Sequence, residues 1–156
     1  MKKDQAGLVR KIYIICPVRK LNEEEKVRIL NYVQTLESLE FLRHEVRCPF
    51  RDTPQEDEIG LRIVEDHEQD IIWADEIHIW WNPTSEGSLW DLAQARMVRR
   101  FMPAKKICLI NLDQMNITEH KSYNNVLIAT HFGLKPGSTL EELKKCLENF
   151  KNNPVR

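Results

Sequence analysis

The stretch Asp75-Glu-Ile-His-Ile-Trp-Trp-Asn-Pro-Thr-Ser-Glu-Gly-Ser-Leu-Trp-Asp-Leu92 decides how this chain folds. Residues 75–81 form an apolar run ended by Asn82-Pro83, a pattern that predicts a buried strand. Small hydroxyl residues and Gly87 follow, and they introduce a helix that begins near Ser85 and continues through Arg99. The first-turn amides of a helix lack intrahelical acceptors, so this turn is also a place where an anion can bind.

The same alternation extends in both directions. Lys11–Cys16 is a β-branched apolar run closed by Pro17, which predicts a first strand buried on both faces. Asn22 followed by Glu23-Glu24-Glu25 is a capped helix start, with Val27, Leu30, Val33 (or Ile29) and Leu36 as a stripe to about Ser38. Residues 45–50 predict a second strand and 51–55 a loop. A second helix is expected from about Gln55 to Trp73, with Ile59, Ile63, Val64, Ile71 and Ile72 facing inward. Residues 106–111 and 125–130 predict fourth and fifth strands, separated by a loop over 112–124. After the break at Gly133–Gly137, Ser138-Thr139 open a last helix through Leu140, Leu143, Leu147 and Phe150, and the tail 151–156 reads as frayed. Strands alternating with helices imply a doubly wound, flavodoxin/Rossmann-like α/β fold. The expected sheet is five-stranded and parallel, of order 2-1-3-4-5, with helices on both faces. The whole chain, 1–156, reads as a single domain with its core over about 11–150.

At 156 residues such a domain buries about 70% of its unfolded surface and needs no disulfide or metal staple. The net charge of -1, from 23 Lys+Arg against 24 Asp+Glu, gives no global field for nucleic acid or an anionic membrane, so any phosphate recognition must be local. Cys16, Cys48, Cys108 and Cys146 show neither CxxC nor zinc spacing with His, and they read as reduced thiols in a reducing compartment. Met1-Lys-Lys-Asp-Gln is polar, and no window approaches the ~20 apolar residues of a membrane span. A soluble, cytoplasmic protein is expected, with no membrane and no nucleic acid polymer among its partners.

In a 2-1-3 sheet the binding crevice lies between strands 1 and 3, outside their carboxyl ends. Residues 16–19 and 82–88 must therefore meet there. Asp91, about one turn beyond Gly87, projects toward the same crevice. A carboxylate kept ionised by the helix terminus suits a nucleophile better than a proton donor, although an acid here also simply favours the helix dipole. Arg19 can meet a phosphate with a forked contact or stand as a surface Arg. Ser85, Gly87 and Ser88 form the anion-binding turn, or an ordinary capped helix start. Tyr13, inside strand 1, reads first as core. Residues 65–70 are a solvated acidic helix face. That helix runs antiparallel to the strands, which puts its start on the crevice side and favours Asp66 over Asp70. His67 and Asp70 offer two metal ligands with no third. Trp80, Trp81 and Trp90 give flat apolar surface; core filling accounts for at least one, and Trp81 or Trp90 could stack on a nucleobase for ~1–3 kcal/mol. The basic residues Arg96, Arg99, Arg100, Lys105 and Lys106 read as a solvated helix end or an interaction surface. Dinucleotide, P-loop and hydrolase-elbow motifs are absent.

Ile12-Tyr13, the acidic helix leading into Ala74-Asp75, and Gly87-Ser-Leu-Trp-Asp-Leu-Ala-Gln-Ala95 together resemble the nucleoside 2-deoxyribosyltransferase-like superfamily, which includes the nucleoside 5′-monophosphate N-glycosidases. The resemblance spans roughly Lys11 to Asn111 and lies in the order and spacing of short motifs. It implies that Asp91 stands where the family has a Glu that attacks the sugar C1′, and that Tyr13 matches the strand-1 Tyr that orients this nucleophile. Arg19 and Ser85 match the residues that hold a 5′-phosphate, and Gly87 matches the motif Gly. Asp66 or Asp70 matches a helix Asp that contacts the base or assists its departure, at a spacing to Asp75 that differs by one or more residues.

The implied function is N-glycosidic bond cleavage or transfer on nucleosides or nucleoside 5′-monophosphates. It would run through a covalent glycosyl-enzyme opened by water or a second base, with no metal or organic cofactor, in a homo-oligomer. Three positions depart from the family pattern: Asp91 for Glu, Ala93 for the second Gly, and Trp90 for a smaller aromatic. The Asp withdraws its carboxylate by ~1.5 Å, and a misplacement of about 1 Å can cost ~100-fold in rate. A non-catalytic nucleotide-binding or sensing domain of the same fold is the alternative.

Overall fold

Four short strands, β1 (Lys11–Ile15), β2 (Glu45–Arg47), β3 (Glu76–Ile79) and β4 (Lys106–Leu109), pair in parallel in the order β2-β1-β3-β4. The structure is a computed structural model in which residues 9–39 and 43–153 are described. Of the tail, Lys151 and Asn152 close the last helix. Residues 154–156 and the amino-terminal residues 1–8 lie outside the described residues. The helices are α1 (Glu23–Glu37), α2 (Pro49–Asp52), α3 (Leu61–Trp73), α4 (Glu86–Phe101), α5 (Tyr123–His131) and α6 (Leu140–Asn152).

Alternate strand residues face two separate cores, as the period of a β-strand requires. Ile12, Ile14 and Trp80 pack with Ile29 and Val33 of α1 on one face. Tyr13, Ile15, Ile77, Ile79 and Leu109 pack with α3, α4, α5 and α6 on the other. The two-sided burial expected of strand 1 is present, since Ile12 through Ile15 are almost wholly buried. In α1 the expected capping residue closes a full capping box: Asn22 accepts from the Glu25 amide at 2.8 Å, and Glu25 accepts from the Asn22 amide at 3.0 Å. The inward stripe runs through Ile29 and Val33, while Val27 and Leu30 are exposed.

Three expectations need correction. Strand 2 ends at Arg47 because Pro49 cannot donate to a ladder. Pro49 instead starts α2, and the Asp52 carboxylate takes the Cys48 amide at 2.8 Å. The second helix begins at Leu61, not near Gln55. Gly60 holds a left-handed φ of 88°, and Asp57 accepts from the Arg62 amide at 2.7 Å, which fixes the true start. Ile59 is consequently outside the helix and 88% exposed, and Ile72 also faces away from the core.

The third correction is the largest: residues 125–130 are not a strand but the body of α5. A short apolar run fits a buried helix as well as a buried strand. Ser122 caps the helix, accepting from the Asn125 amide at 3.2 Å. The helix also covers the edge that a fifth strand would have paired. His131, whose pKa burial lowers so that it stays neutral, accepts the Leu109 amide of β4 at 2.9 Å.

At the amino end of β3 a buried polar network ties the sheet to α1. His78 Nε2 lies 3.0 Å from Glu76, and His78 Nδ1 lies 2.7 Å from the Tyr32 hydroxyl. Arg10 also donates to Glu76. The hydrogen bond from His78, with the added Arg10 charge, holds the Glu76 carboxyl down to about 2 from an ordinary 4.5. A depressed carboxyl stabilises the fold fully above pH 4.5 and loses that contribution as pH falls toward 2. Urea titrations between pH 7 and pH 2.5 should therefore show wild-type stability falling more steeply below pH 4.5 than that of Glu76→Gln, which carries no titrating group there.

Candidate active site

Beyond the carboxyl ends of β1 and β3, the chain opens into two walls. The Trp80 amide still bonds the Ile15 carbonyl at 2.9 Å, which fixes where the walls separate. One wall is the segment from Cys16 to Lys20; the other is the turn from Asn82 into α4. Lys20 Nζ donates to the Thr84 carbonyl and ties them at the rim. Between them lies a cavity of about 460 Å³, within the ~300–1,000 Å³ of small-molecule sites. Arg19, Ser85, Gly87, Ser88 and Asp91 all line it, with Ile63, Val64 and His67 closing the side formed by α3.

Asp91 is 6% exposed, and its Oδ2 lies 3.1 Å from Nδ1 of His67. Behind this pair the Tyr13 ring centroid is 6.0 Å from that of His67. The Tyr13 hydroxyl and His67 Nε2 are buried without a hydrogen-bond partner among the described residues. Burial, and then the negative charges of Asp91 and Asp70, push the Tyr13 phenol well above its ordinary value, so it remains a neutral donor. On the same side, the Cys16 thiol is driven upward by its hydrogen bond with Cys48 and by burial. It is thus a poor nucleophile, because a thiol attacks as its thiolate. All four cysteines are free. The Tyr13 hydroxyl and His67 Nε2, both beside a carboxylate, are free to bond a water or a ligand.

The α4 terminus is built as the sequence suggests, with one refinement. Ser85 is the N-cap and accepts from the Ser88 amide at 3.3 Å, while its own hydroxyl donates to Ser88 Oγ at 3.0 Å. Both serines are thereby engaged in the cap and buried. The Glu86 and Gly87 amides, at the first turn, have no intrahelical acceptor and carry the positive end of the helix dipole. Arg19 is exposed at the opening.

Other expected residues are elsewhere. Asp66 lines a separate cavity with Arg47, Thr53 and Gln69. Asp70 is ion-paired with Arg47, so it and His67 serve different partners. Among the described residues no cluster of three His, Cys, Asp or Glu could hold a metal. Trp81 belongs to the core, its indole donating to Asn124 at 2.7 Å. Trp80 fills the opposite core, with the Arg28 guanidinium 5.0 Å over its ring. Trp90 is 59% exposed on the outer side of α4. The basic face is partly consumed: buried Lys105 donates to the Ala74 carbonyl at the end of α3, and Arg96 bonds Thr130 at 2.5 Å.

His67 enters the site as the partner of Asp91, a role that the sequence does not announce. The available signal is its register, because Ile63, His67 and Ile71 recur every fourth residue and share one helix face. Asp66 is rotated by about 100° from that face. No helix of the described residues is long and apolar enough to cross a membrane. No protein-family model and no curated protein matches the chain.

A side chain at position 87 would meet nothing within 4 Å. Gly87→Ala should therefore leave the fold intact and raise stability by up to ~1 kcal/mol through helix propensity, read as an unchanged or higher melting temperature in a thermal scan.

Proposed function

We propose that this protein cleaves the N-glycosidic bond of a nucleoside or nucleoside 5′-monophosphate, as a member of the nucleoside 2-deoxyribosyltransferase-like superfamily that its motifs resemble. One observation carries the reading: a carboxylate shielded from bulk water, Asp91, lines the same cavity as Arg19 and the free amides of α4. A phosphate on the guanidinium and helix terminus would leave the sugar to reach Asp91.

In the first step an Asp91 oxygen bonds C1′ while the C1′–N bond breaks. The electron pair leaves with the base, whose nitrogen takes a proton from water. The resulting hydroxide then bonds C1′, the C1′–O bond to Asp91 breaks, and the carboxylate is regenerated, so one water is consumed overall. This double displacement parallels retaining glycosidases, with an oxocarbenium-like transition state. Neither step calls for a metal or organic cofactor. Cys16 and Tyr13, both pushed upward, stay neutral on this side of the cavity, and Glu86 is the other carboxylate that lines it.

Chromatography of free base after incubation with a panel of (deoxy)nucleosides and their monophosphates tests the proposal. Wild type should release base, and Asp91→Ala should lower the rate by roughly 10³-fold or more. Arg19→Ala should raise KM for a monophosphate by roughly 10–100-fold and leave a plain nucleoside unaffected. A panel on which wild type releases nothing defeats the reading. The shorter reach of Asp91, one methylene less than Glu, favours as the second reading a nucleotide-binding domain without turnover. There nucleotides raise the melting temperature and only Asp91→Glu gains base release.

The superfamily reading also expects a homo-oligomer. In its support, Trp90, Met97 and Phe101 form an exposed apolar stripe on α4, Phe101 at 81% exposure. Sedimentation should show a dimer or larger assembly that Phe101→Asp shifts toward the monomer.

A further inference from the structure

We infer that His67 is the positioning residue of Asp91, holding the carboxylate in its reacting orientation through Nδ1–H; the inference rests on the glycosidase reading of this cleft. Family resemblance assigns that orienting role to Tyr13, yet the Tyr13 hydroxyl makes no hydrogen bond among the described residues. The group that does bond Asp91 is His67, at 3.1 Å, with both side chains largely buried. A carboxylate accepts only, so the shared proton resides on Nδ1. Oδ2 is thereby fixed, and Oδ1 has no hydrogen-bond partner among the described residues, which leaves it for the sugar.

The shorter side chain explains the change of partner. Asp91 holds its carboxylate close to α4, and α3 packs directly against α4. His67 sits on the α3 face shared with Ile63 and Ile71, and its ring spans the gap between the helices. One residue further along α3, Glu68 accepts from Gln94 of α4 at 2.7 Å, which braces the same helix pair beside the His67–Asp91 contact. The geometry of the nucleophile is thus set by helix packing and not by strand 1. An attacking atom moved by about 1 Å can lose ~100-fold in rate.

Three substitutions separate positioning from packing. An Asn side chain places its amide nitrogen near the position of Nδ1, whereas Gln places it near Nε2. His67→Ala and His67→Gln should lower kcat by about 100-fold with KM changed by no more than about threefold. His67→Asn should recover to within about tenfold of wild type. Equal loss in all three variants, or full kcat in His67→Ala, overturns the inference. Imidazole ¹⁵N spectra of the wild-type protein decide the pairing without any turnover. A protonated Nδ1 whose resonance moves in Asp91→Ala supports it, and a resonance indifferent to Asp91 overturns it. If wild type releases no base from any substrate, the glycosidase reading fails, while the spectra still decide whether His67 bonds Asp91.

Discussion

The parallel pairing of β1 with β3 is the constraint from which the rest of the molecule takes its form. It joins Ile12 to Glu76 and Ile15 to Ile79, and continues one residue further through the Trp80 amide. Because the two strands are joined by no short hairpin, helices must cross above and below the sheet, and each strand buries both of its faces. Where the pairing stops, backbone groups can no longer satisfy one another, and the two chains diverge. The cleft is the consequence of that divergence.

The two ends of the sheet solve opposite electrostatic problems. At the amino end Glu76 is surrounded by His78, Arg10 and Lys106, so a buried carboxylate is fully compensated and locked. Such a network favours one arrangement of α1 on the sheet, and it has no atom left over for chemistry. At the carboxyl end Asp91 has one side-chain hydrogen-bond partner among the described residues, His67, while Tyr13 and His67 each retain a polar atom without one. Incomplete satisfaction of buried groups costs stability unless a water or a ligand completes the set.

The cleft divides its work among elements of different stiffness. Asp91 and His67 lie on packed helices, which hold a hydrogen bond to a fraction of an ångström. Arg19 stands on a loop, where a long flexible side chain can follow a phosphate. Lys20 closes the rim by fixing the two loops to each other. The proposed N-glycosidase would use such a combination, a rigid reacting centre with an adaptable anion contact.

Local chemistry along the chain determined a good deal. The β-branched run at 11–15, the capping box at Asn22 and the turn at 82–88 each have one compatible structure, so the parallel α/β layout and the convergence of Arg19, Gly87 and Asp91 could be read from residues alone. What tertiary structure decided lay where local signals were degenerate. The run at 125–130 fits strand and helix equally, and the open edge of β4 together with His131 chose the helix. Asp66 and His67 are neighbours in sequence, but a helix separates them by about 100°, and only the packing of α3 on α4 sends the imidazole to Asp91. Hydrogen bonds between elements far apart in the chain have no local signature, and for that reason the partner of the key carboxylate was visible only in the fold.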